Sequence, residues 1–286
     1  MGGIAVIGNL SRDTIDGAAP RVGGAPYHAS RGLRLLGGGS RIIARCAEVD
    51  RRALVPPLSA LGVPVTWLPS PRTTAFEIRY DGEEREMTVE DTGAPWTVAD
   101  ARAVGRVSWV HLGGLTRADF PADVLAALAR DRRLALDGQA LVRPAETGPL
   151  VLDANFDPAV LRHVTALKLN EEELEALGGE ERVVELDVPE LLLTRASAGA
   201  VVIAHGVREH VHARRIEIDD PTGAGDAFLA AYTWARASGH SPISAARQAA
   251  TTAARVLEIE LEREPEPEPP ELEPPELEPP ELEPTV

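Results

Sequence analysis

The sequence predicts an α/β fold in which a mostly parallel, doubly wound sheet carries helices on both faces, giving three layers. Short apolar runs rich in valine, isoleucine and leucine alternate with longer segments of helical period, which is typical of strands buried on both sides. The 286 residues are 44% hydrophobic, enough to bury a sizeable core, and we assign residues 1–260 to a single domain. A hairpin at residues 72–92 interrupts the alternation.

The predicted elements follow one another along the chain. The strands are Ile4 to Ile7, Arg41 to Cys46, Trp109 to Leu112, Leu134 to Asp137, Ala166 to Leu169, Leu191 to Thr194 and Val201 to Ala204. The helices are Ala25 to Leu36, Ala122 to Arg130, Glu171 to Leu177, Ala224 to Ser238 and Ser241 to Leu257. The last two helices are long and have the clearest periodicity.

The hairpin is predicted from one run at Thr73 to Tyr80, a turn at Asp81 and Gly82, and a second run at Glu83 to Glu90. A hairpin that leaves a parallel sheet is a candidate lid over a ligand. Its charged segment, Glu83 to Glu86, is typical of a solvated strand edge and does not indicate a site of its own.

The end of the chain, residues 261–286, consists mainly of glutamate, proline and leucine, with Glu-Leu-Glu-Pro-Pro at 271–275 and again at 276–280. Dense proline forbids a helix interior and like charges oppose collapse, so we expect a disordered, extended tail. Residues 258–286 also account for −11 of the net charge of −16, which leaves −5 for the rest of the chain.

Composition narrows the function classes. A mildly acidic body argues against nucleic-acid binding, and no run approaches the ~18 apolar residues of a membrane span. The N-terminus shows no secretory signal pattern, so we expect a cytoplasmic protein. Cys46 is the only cysteine and Lys168 the only lysine. Disulfides and cysteine-based metal sites are therefore excluded, and phosphate charge must be met mainly by backbone amides, a metal ion or arginine.

The strongest chemical signal is Thr222-Gly223-Ala224-Gly225-Asp226, which stands where a long helix begins. Glycines at this point permit tight backbone geometry, and the first amides of a helix, with its dipole, make an anion hole from Gly223, Ala224 and Gly225. Asp226, in the first turn, can then take a proton from an attacking hydroxyl. The plain alternative is a glycine-rich turn followed by an acidic residue, which many helices have.

This segment, with the acidic Asp220 shortly before it, resembles the signature of the ribokinase-like, or phosphofructokinase B, carbohydrate kinases. The resemblance extends over residues 3–257. Gly8 to Asp13 is similar to the family's first strand and its sugar-binding aspartate, which implies that Asp13 binds substrate. Gly23 and Gly24 resemble the double glycine that opens a helix beneath the substrate.

The segment Lys168 to Glu173 is similar to the family's strand followed by Asn-x-x-Glu, a motif associated with magnesium and phosphate. An amide and a carboxylate three residues apart share one helix face, so Asn170 and Glu173 can hold a hydrated Mg²⁺ through its waters. The alternative is an acidic helix N-terminus that serves stability alone.

The segment Leu192 to Ala200 resembles the nucleotide-side turn of the family, usually Thr-x-Gly-x-x-Gly, which implies that Thr194 and Gly199 contact the nucleotide. Ala196 stands where the family has glycine. If that position needs a positive φ, the turn must be reshaped, and the effect falls on nucleotide binding more than on the fold.

Polar residues also follow the predicted strand that ends at Asp137. Because ligands of open α/β sheets bind beyond the carboxyl ends of strands, Asp137, Gln139 and Arg143 are candidates for the pocket. The stretch resembles Asp-x-Gln-Gly-x-x-Arg of some family members, with Gly138 before Gln139 instead of after it. A role in helix capping or in a salt bridge is an equal alternative.

The resemblance implies an ATP- and Mg²⁺-dependent kinase of a sugar or sugar-like polyol, with a lid that closes over the substrate and a homodimer through that lid. A nucleoside kinase of the same fold, or a non-catalytic relative that binds a sugar or nucleotide, is the alternative. A dehydrogenase is disfavoured, because no Gly-x-Gly-x-x-Gly follows the first strand, and there is no Walker-type loop.

Deletion of residues 264–286 should leave folding and any activity nearly unchanged, because a proline-dense acidic segment cannot bury enough apolar surface to support the core. Thermal unfolding of the full and shortened chains measures this. A fall of several degrees in the midpoint would mean that the tail packs against the domain.

Overall fold

The computed structural model describes residues 3–81, 84–218 and 221–262. Its strands are Ile4–Asn9 (β1), Ser11–Ile15 (β2), Arg21–Gly23 (β3), Ser40–Ala47 (β4), Val65–Ser70 (β5), Thr74–Asp81 (β6), Glu84–Asp91 (β7), Trp109–Gly113 (β8), Arg133–Asp137 (β9), Gly148–Pro149 (β10), Ala166–Leu169 (β11), Glu190–Thr194 (β12), Ala200–Ala204 (β13) and Val207–Val211 (β14). Its α-helices are Ala25–Leu33 (α1), Arg51–Ser59 (α2), Val98–Ala101 (α3), Ala122–Leu128 (α4), Gln139–Val142 (α5), Glu171–Ala176 (α6), Glu180–Val184 (α7), Ala224–Ala237 (α8) and Pro242–Leu261 (α9).

The main sheet has nine strands in the order β14-β13-β12-β11-β9-β8-β1-β4-β5. Strands from β12 to β5 in this order pair in parallel, whereas β13 and β14 are antiparallel to their neighbours. The parallel strands therefore present their carboxyl ends along one edge of the sheet, where ligands of doubly wound folds bind. The predicted fold class is confirmed.

Two apolar layers cover the sheet. On β1, Ile4 and Val6 face the layer that contains α8 and α9, while Ala5 and Ile7 face the opposite layer. This alternation follows from the two-residue period of a strand. Because both faces are apolar, the central strands read as continuous hydrophobic runs rather than as alternating ones.

A second sheet lies outside this sandwich, with strand order β10-β7-β6-β2-β3. The predicted hairpin forms its centre, because β6 and β7 pair antiparallel, but this sheet is larger than the hairpin that the sequence predicted. Phe76, Ile78 and Val89 form a small apolar cluster with Leu115, which follows β8. The second sheet is thereby fixed to the carboxyl edge of the main sheet.

The predicted strands are all present. The five predicted helices differ mainly at their ends, and α2, α3, α5 and α7 have no counterpart among them. The first helix stops at Leu33 instead of Leu36, where the chain approaches Gly37, which has a φ of 75°. The last helix continues to Leu261, four residues past the predicted Leu257. The predicted turn at Gly82 and most of the predicted tail lie outside the described residues. No helix in the described ranges is long and apolar enough to span a bilayer.

A buried ion pair fixes α8 to the sheet. The carboxylate of Glu190, at the start of β12, accepts a hydrogen bond of 2.5 Å from the Tyr232 hydroxyl and two from the Arg236 guanidinium, at 3.1 and 2.5 Å. Glu190 is 3% exposed, so its charge is balanced by Arg236 rather than by water. Helix α8 is therefore held against the sheet near its C-terminal end.

His111 occupies the middle of β8, aligned with Val6 and Ala135 of the neighbouring strands. Its side chain is fully buried, and neither ring nitrogen has a hydrogen-bond partner within the described residues. Burial disfavours the imidazolium and lowers the pKa of His111 to about 4, with Lys168 acting in the same direction and Asp137 against it. The ring is therefore neutral at pH 7.

Because the pKa of His111 is lower in the folded state than in the unfolded one, the free energy of unfolding should fall as pH drops from 6.5 to 4, by about 3 kcal/mol. His111→Met, which cannot titrate, should lose that part of the pH dependence. Denaturant unfolding at several pH values measures it, with His240→Gln as the control because His240 is exposed. Parallel pH profiles for wild type and His111→Met would contradict the assignment.

Candidate active site

The N-terminus of α8 lies directly against α1. Gly223, the N-cap residue, has a φ of 84°, and a Cβ at this position would overlap the imidazole ring of His28. A non-glycine residue at 223 would thus meet both backbone strain and a clash. Gly225 also faces a close neighbour, since its Cβ would stand 3.2 Å from Nζ of Lys168.

The backbone amides of this loop are not equivalent. The Ala224 N–H donates to the carbonyl of Pro221 at 3.1 Å and closes a turn. Gly225 is the second residue of the helix, where an N–H has no intrahelical acceptor. Of the predicted anion hole, the Gly225 N–H is therefore left without a helix partner, while the Ala224 N–H is occupied. Asp219 and Asp220, the acidic residues of the motif, lie outside the described residues.

Lys168, at the carboxyl end of β11, is the centre of the charges near α8. Its Nζ donates to both carboxylate oxygens of Asp137, at 3.2 and 3.1 Å, and lies 3.6 Å from Glu173 Oε2. All three side chains are at most 3% exposed. Burial alone would lower the pKa of Lys168, but Asp137, Glu173 and Asp226 outweigh it and raise that pKa. The ammonium therefore stays charged.

Asp226 is partly buried and lies in the field of this cluster. Desolvation raises its pKa to about 7, and repulsion from Asp137 adds to the shift, whereas Lys168 and Arg143 oppose it. A carboxyl group whose pKa is near neutrality can accept and return a proton at working pH, which suits a general base.

Asn170 and Glu173 form a reciprocal capping box at the start of α6. The Asn170 side chain accepts from the Glu173 N–H at 2.7 Å, and Glu173 Oε2 accepts from the Asn170 N–H at 2.9 Å. Burial raises the pKa of Glu173, against the attraction of Lys168. Helix capping alone is thus a sufficient reason for the Asn-x-x-Glu spacing, without a metal ion.

Only one feature of this pair fits the predicted magnesium ion. Oε1 of Glu173 is buried and has no hydrogen-bond partner within the described residues, as expected of an atom that bonds an absent water. Binding through water fits this oxygen, but direct ligation by both side chains does not, because their other oxygens are engaged. In residues 3–81, 84–218 and 221–262, no three His, Cys, Asp or Glu side chains are arranged around a metal position.

The segment after β9 serves the charge cluster more than a pocket. Asp137 accepts from Lys168 and from the Gln139 N–H at 3.2 Å, so its carboxylate is occupied. A Cβ at Gly138 would overlap the Leu169 side chain and come within 2.8 Å of Glu173 Oε2. This contact explains why glycine precedes Gln139 here. The Gln139 side chain remains partly exposed at the start of α5.

The predicted substrate residues Asp13, Gly23 and Gly24 come together in the structure. Asp13 lies on β2 opposite Arg21 of β3, and a Cβ at Gly23 would overlap its carboxylate. Gly24 has a φ of 93° and packs against the backbone of Asn9 and Leu10. The double glycine therefore makes room for the Asp13 carboxylate and begins α1.

Helix α1 joins this group to the loop at Gly223. It begins after Gly24, and His28, four residues later, contacts Gly223. Four residues of helix rise about 6 Å. The Asp13 carboxylate and the loop at Gly223 therefore lie along the same side of the site, next to α1. Sequence patterns miss His28, since no motif marks a histidine whose contact lies nearly two hundred residues away.

The turn predicted to face a nucleotide connects β12 to β13. The Thr194 hydroxyl donates to the Leu169 carbonyl at 3.2 Å, just before Asn170. Gly199 has a φ of 91°, and a Cβ there would overlap the carbonyl of Val211. Ala196 adopts a φ of 42°. The turn is therefore not reshaped to give Ala196 a negative φ. An alanine in this conformation costs about 1–2 kcal/mol more than a glycine would.

Comparison with known proteins shows the family of the chain. The pfkB family of carbohydrate kinases matches residues 52–269, which is more than half of the chain. A fructokinase of Escherichia coli is 26% identical over 239 residues, covering 74% of this chain and 75% of the relative.

Solved structures are similar over most of their length. A sulfate complex of a pyrophosphate-dependent kinase in the ribokinase family is 29% identical, with a TM-score of 0.77 over 89% of this chain and 95% of that one. A pyrophosphate-dependent kinase of the same family, complexed with a pyrophosphate analog and myo-inositol, is 28% identical, with a TM-score of 0.78 and the same coverage. Ribokinase from Thermotoga maritima has a TM-score of 0.66 at 17% identity, over 92% of this chain and 100% of that one, and shows the fold alone.

Lys168→Met should lower the free energy of unfolding by about 3–5 kcal/mol, because it leaves Asp137 and Glu173 buried without a counter-charge. Adding Asp137→Asn should recover part of the loss. Arg182→Met is the control, since its ion pair with Glu185 is exposed and should contribute less than about 1 kcal/mol. Denaturant unfolding of the four proteins measures the effect. Equal losses for Lys168→Met and Arg182→Met would contradict the structural role of the cluster.

Proposed function

The chain belongs to the pfkB family of carbohydrate kinases, and we propose that it transfers the terminal phosphoryl group of ATP to a hydroxyl of a sugar or sugar-like polyol, with Asp226 as the general base. The observation that carries the proposal is the placement of Asp226. It lies in the first turn of α8, beside glycine amides that can face an anion, with its pKa raised to about 7.

In this reaction the acceptor hydroxyl gives its proton to Asp226 while its oxygen forms a bond to the terminal phosphorus. The bond from that phosphorus to the bridging oxygen breaks, and the remaining phosphates leave with the electron pair. The N–H groups of Gly223 and Gly225 bind the equatorial oxygens, assisted by the dipole of α8. Ala224 N–H can join them only if its bond to the Pro221 carbonyl opens.

Magnesium, when bound, neutralises phosphate charge. Asn170 and Glu173 are the residues proposed to hold it, through water at Glu173 Oε1. Lys168 adds a fixed positive charge near Asp226.

The acceptor is proposed to bind between Asp13, Gly23, Gly24 and Gln139. The Asp13 carboxylate suits a polyol, because a charged acceptor favours several hydroxyl donors over an apolar group. The hairpin β6–β7, at the centre of the second sheet, would close over this group and exclude water. A nucleoside as acceptor, and a homodimer through this sheet, stay predictions.

Thr194 and Gly199 are the proposed contacts for the nucleotide. A second donor, pyrophosphate, is favoured by two observations. Ala196 places a methyl group on the turn where the family has glycine, and two of the similar solved structures are pyrophosphate-dependent kinases. Pyrophosphate needs the amide loop but no nucleoside pocket. One of these relatives also binds myo-inositol, which makes ring polyols the first acceptors to test.

The test is a matrix of donors and acceptors with Mg²⁺ present: ATP and pyrophosphate, each against pentoses, hexoses, ketoses, inositols and nucleosides. With the active pair, turnover should rise about tenfold per pH unit below pH 7 and level off above it, because the base acts deprotonated. Asp226→Asn should lower turnover by about 10²- to 10⁴-fold.

Stability distinguishes this role from a merely structural one. The folded pKa of Asp226 is above its unfolded value, so its contribution to stability is present at low pH and is lost as pH rises through 7. Asp226→Asn should therefore be at least as stable as wild type at pH 8. If Asp226 only supported the helix dipole, the variant would lose about 0.3–1 kcal/mol and stay active. A fully active Asp226→Asn would overturn the mechanism.

A further inference from the structure

Arg31, in the last turn of α1, lies between the loop that precedes α8 and the end of α9. Its Nη1 donates to the carbonyl of Thr222 at 3.2 Å and lies 3.3 Å from Nδ1 of His28. Its Nη2 lies 3.0 Å from the carboxylate of Glu260. One guanidinium thus links α1 to the loop before α8 and to the end of α9.

These contacts hold the guanidinium in one orientation. The Arg31 side chain is only 11% exposed, and its planar fork directs the two Nη groups to different partners. Glu260 balances the positive charge, and α1 and α8 approach closely nearby, since a Cβ at Gly32 would stand 3.2 Å from the Ala227 side chain. The side chain therefore contacts the loop from a rigid base.

The bond to Thr222 acts on Gly223 through the peptide plane. The Thr222 carbonyl and the Gly223 N–H belong to the same planar, trans peptide unit, so the two groups point in opposite directions. When Arg31 fixes the carbonyl on its own side, the Gly223 N–H must point away from Arg31. A cationic donor on the carbonyl also polarises the peptide and strengthens its N–H as a donor.

We propose that Arg31 is a positioning residue for the anion hole: it orients the Gly223 N–H through the Thr222 carbonyl, and Glu260 holds its guanidinium in place. This inference rests on the proposed anion-binding role of Gly223. It gives α1 a function beside the proposed anion hole at Gly223, which we call the phosphoryl side, in addition to its place beside Asp13, Gly23 and Gly24, the acceptor side. The end of α9 takes part through Glu260, although it follows Gly223 by more than thirty residues.

The variants are Arg31→Gln, Arg31→Lys and Glu260→Gln, with Arg34→Gln as the matched control because Arg34 is on the same helix end and exposed. Arg31→Gln should lower kcat about 10- to 100-fold, since a misplacement near 1 Å can cost about 10²-fold. The KM of the acceptor should change less than about threefold, because Asp13 and its glycines are untouched. Arg31→Lys should retain part of kcat, Glu260→Gln should lose less than Arg31→Gln, and Arg34→Gln should match wild type.

A second readout measures anion binding without turnover. Calorimetric titration with magnesium pyrophosphate and with MgATP should show weaker binding of the active donor by Arg31→Gln and an unchanged affinity for Arg34→Gln. If Arg31→Gln fails to fold, Glu260→Gln and Arg31→Lys decide the question by the same two measurements.

The outcomes separate this inference from the proposed function. An active wild type whose Arg31 and Glu260 variants equal Arg34→Gln in kcat and anion affinity would overturn the positioning role and leave the kinase assignment standing. Equal losses in kcat and in acceptor binding would assign Arg31 to general stability instead. A wild type inactive with every donor and acceptor would remove the proposed function, and this inference with it.

Discussion

The contact between Lys168 and the carboxylates around it allows several negative charges to lie together at the start of α8. Asp137, Glu173 and Asp226 approach from three different elements, and without a counter-charge they would repel one another at a place poorly reached by water. One buried ammonium allows all three to remain near the start of α8. It also keeps Asp226 ionisable near pH 7, because its attraction partly offsets desolvation. In a chain with a single lysine, the structure and the chemistry of the site depend on the same side chain.

Backbone contacts set the second constraint. At Gly23, Gly138 and Gly223 a side chain would meet a polar group already in place: the Asp13 carboxylate, the Glu173 carboxylate and the His28 ring. These glycines let functional groups approach the backbone directly. Each of the three contacts brings together residues of two different elements. As a consequence, α1 and the sheet edge set the spacing between the proposed acceptor side and the proposed phosphoryl side.

Local patterns predicted the main sheet well, because strands buried on both faces carry continuous apolar runs and need no knowledge of their partners. The glycine–aspartate motif likewise marked the start of α8. The second sheet was predicted only as its central hairpin, since β3 and β10 have three and two residues and no periodicity. The contacts of Lys168 with Asp137, and of Arg31 with Thr222, join residues far apart in sequence. For Asp137 the sequence left a pocket role and a salt bridge as equal alternatives, and the structure shows the salt bridge, with Lys168. For Asn170 and Glu173, capping and metal binding use the same spacing, so sequence alone could not separate them.

The two sides of the site differ in how strongly the fold constrains them. The acceptor side consists of close contacts that tolerate no side chain at Gly23 or Gly24, so a change there would disturb α1 as well. The turn at Ala196 is exposed and bears its strain locally. In the proposed arrangement, a donor that extends past its phosphates would pass this turn and the Ala196 methyl, whereas a donor that ends at the second phosphorus would depend only on the amide loop. If these roles hold, a change of donor would require little change in the fold, whereas a change of acceptor would require a different contact between α1 and the glycines before it.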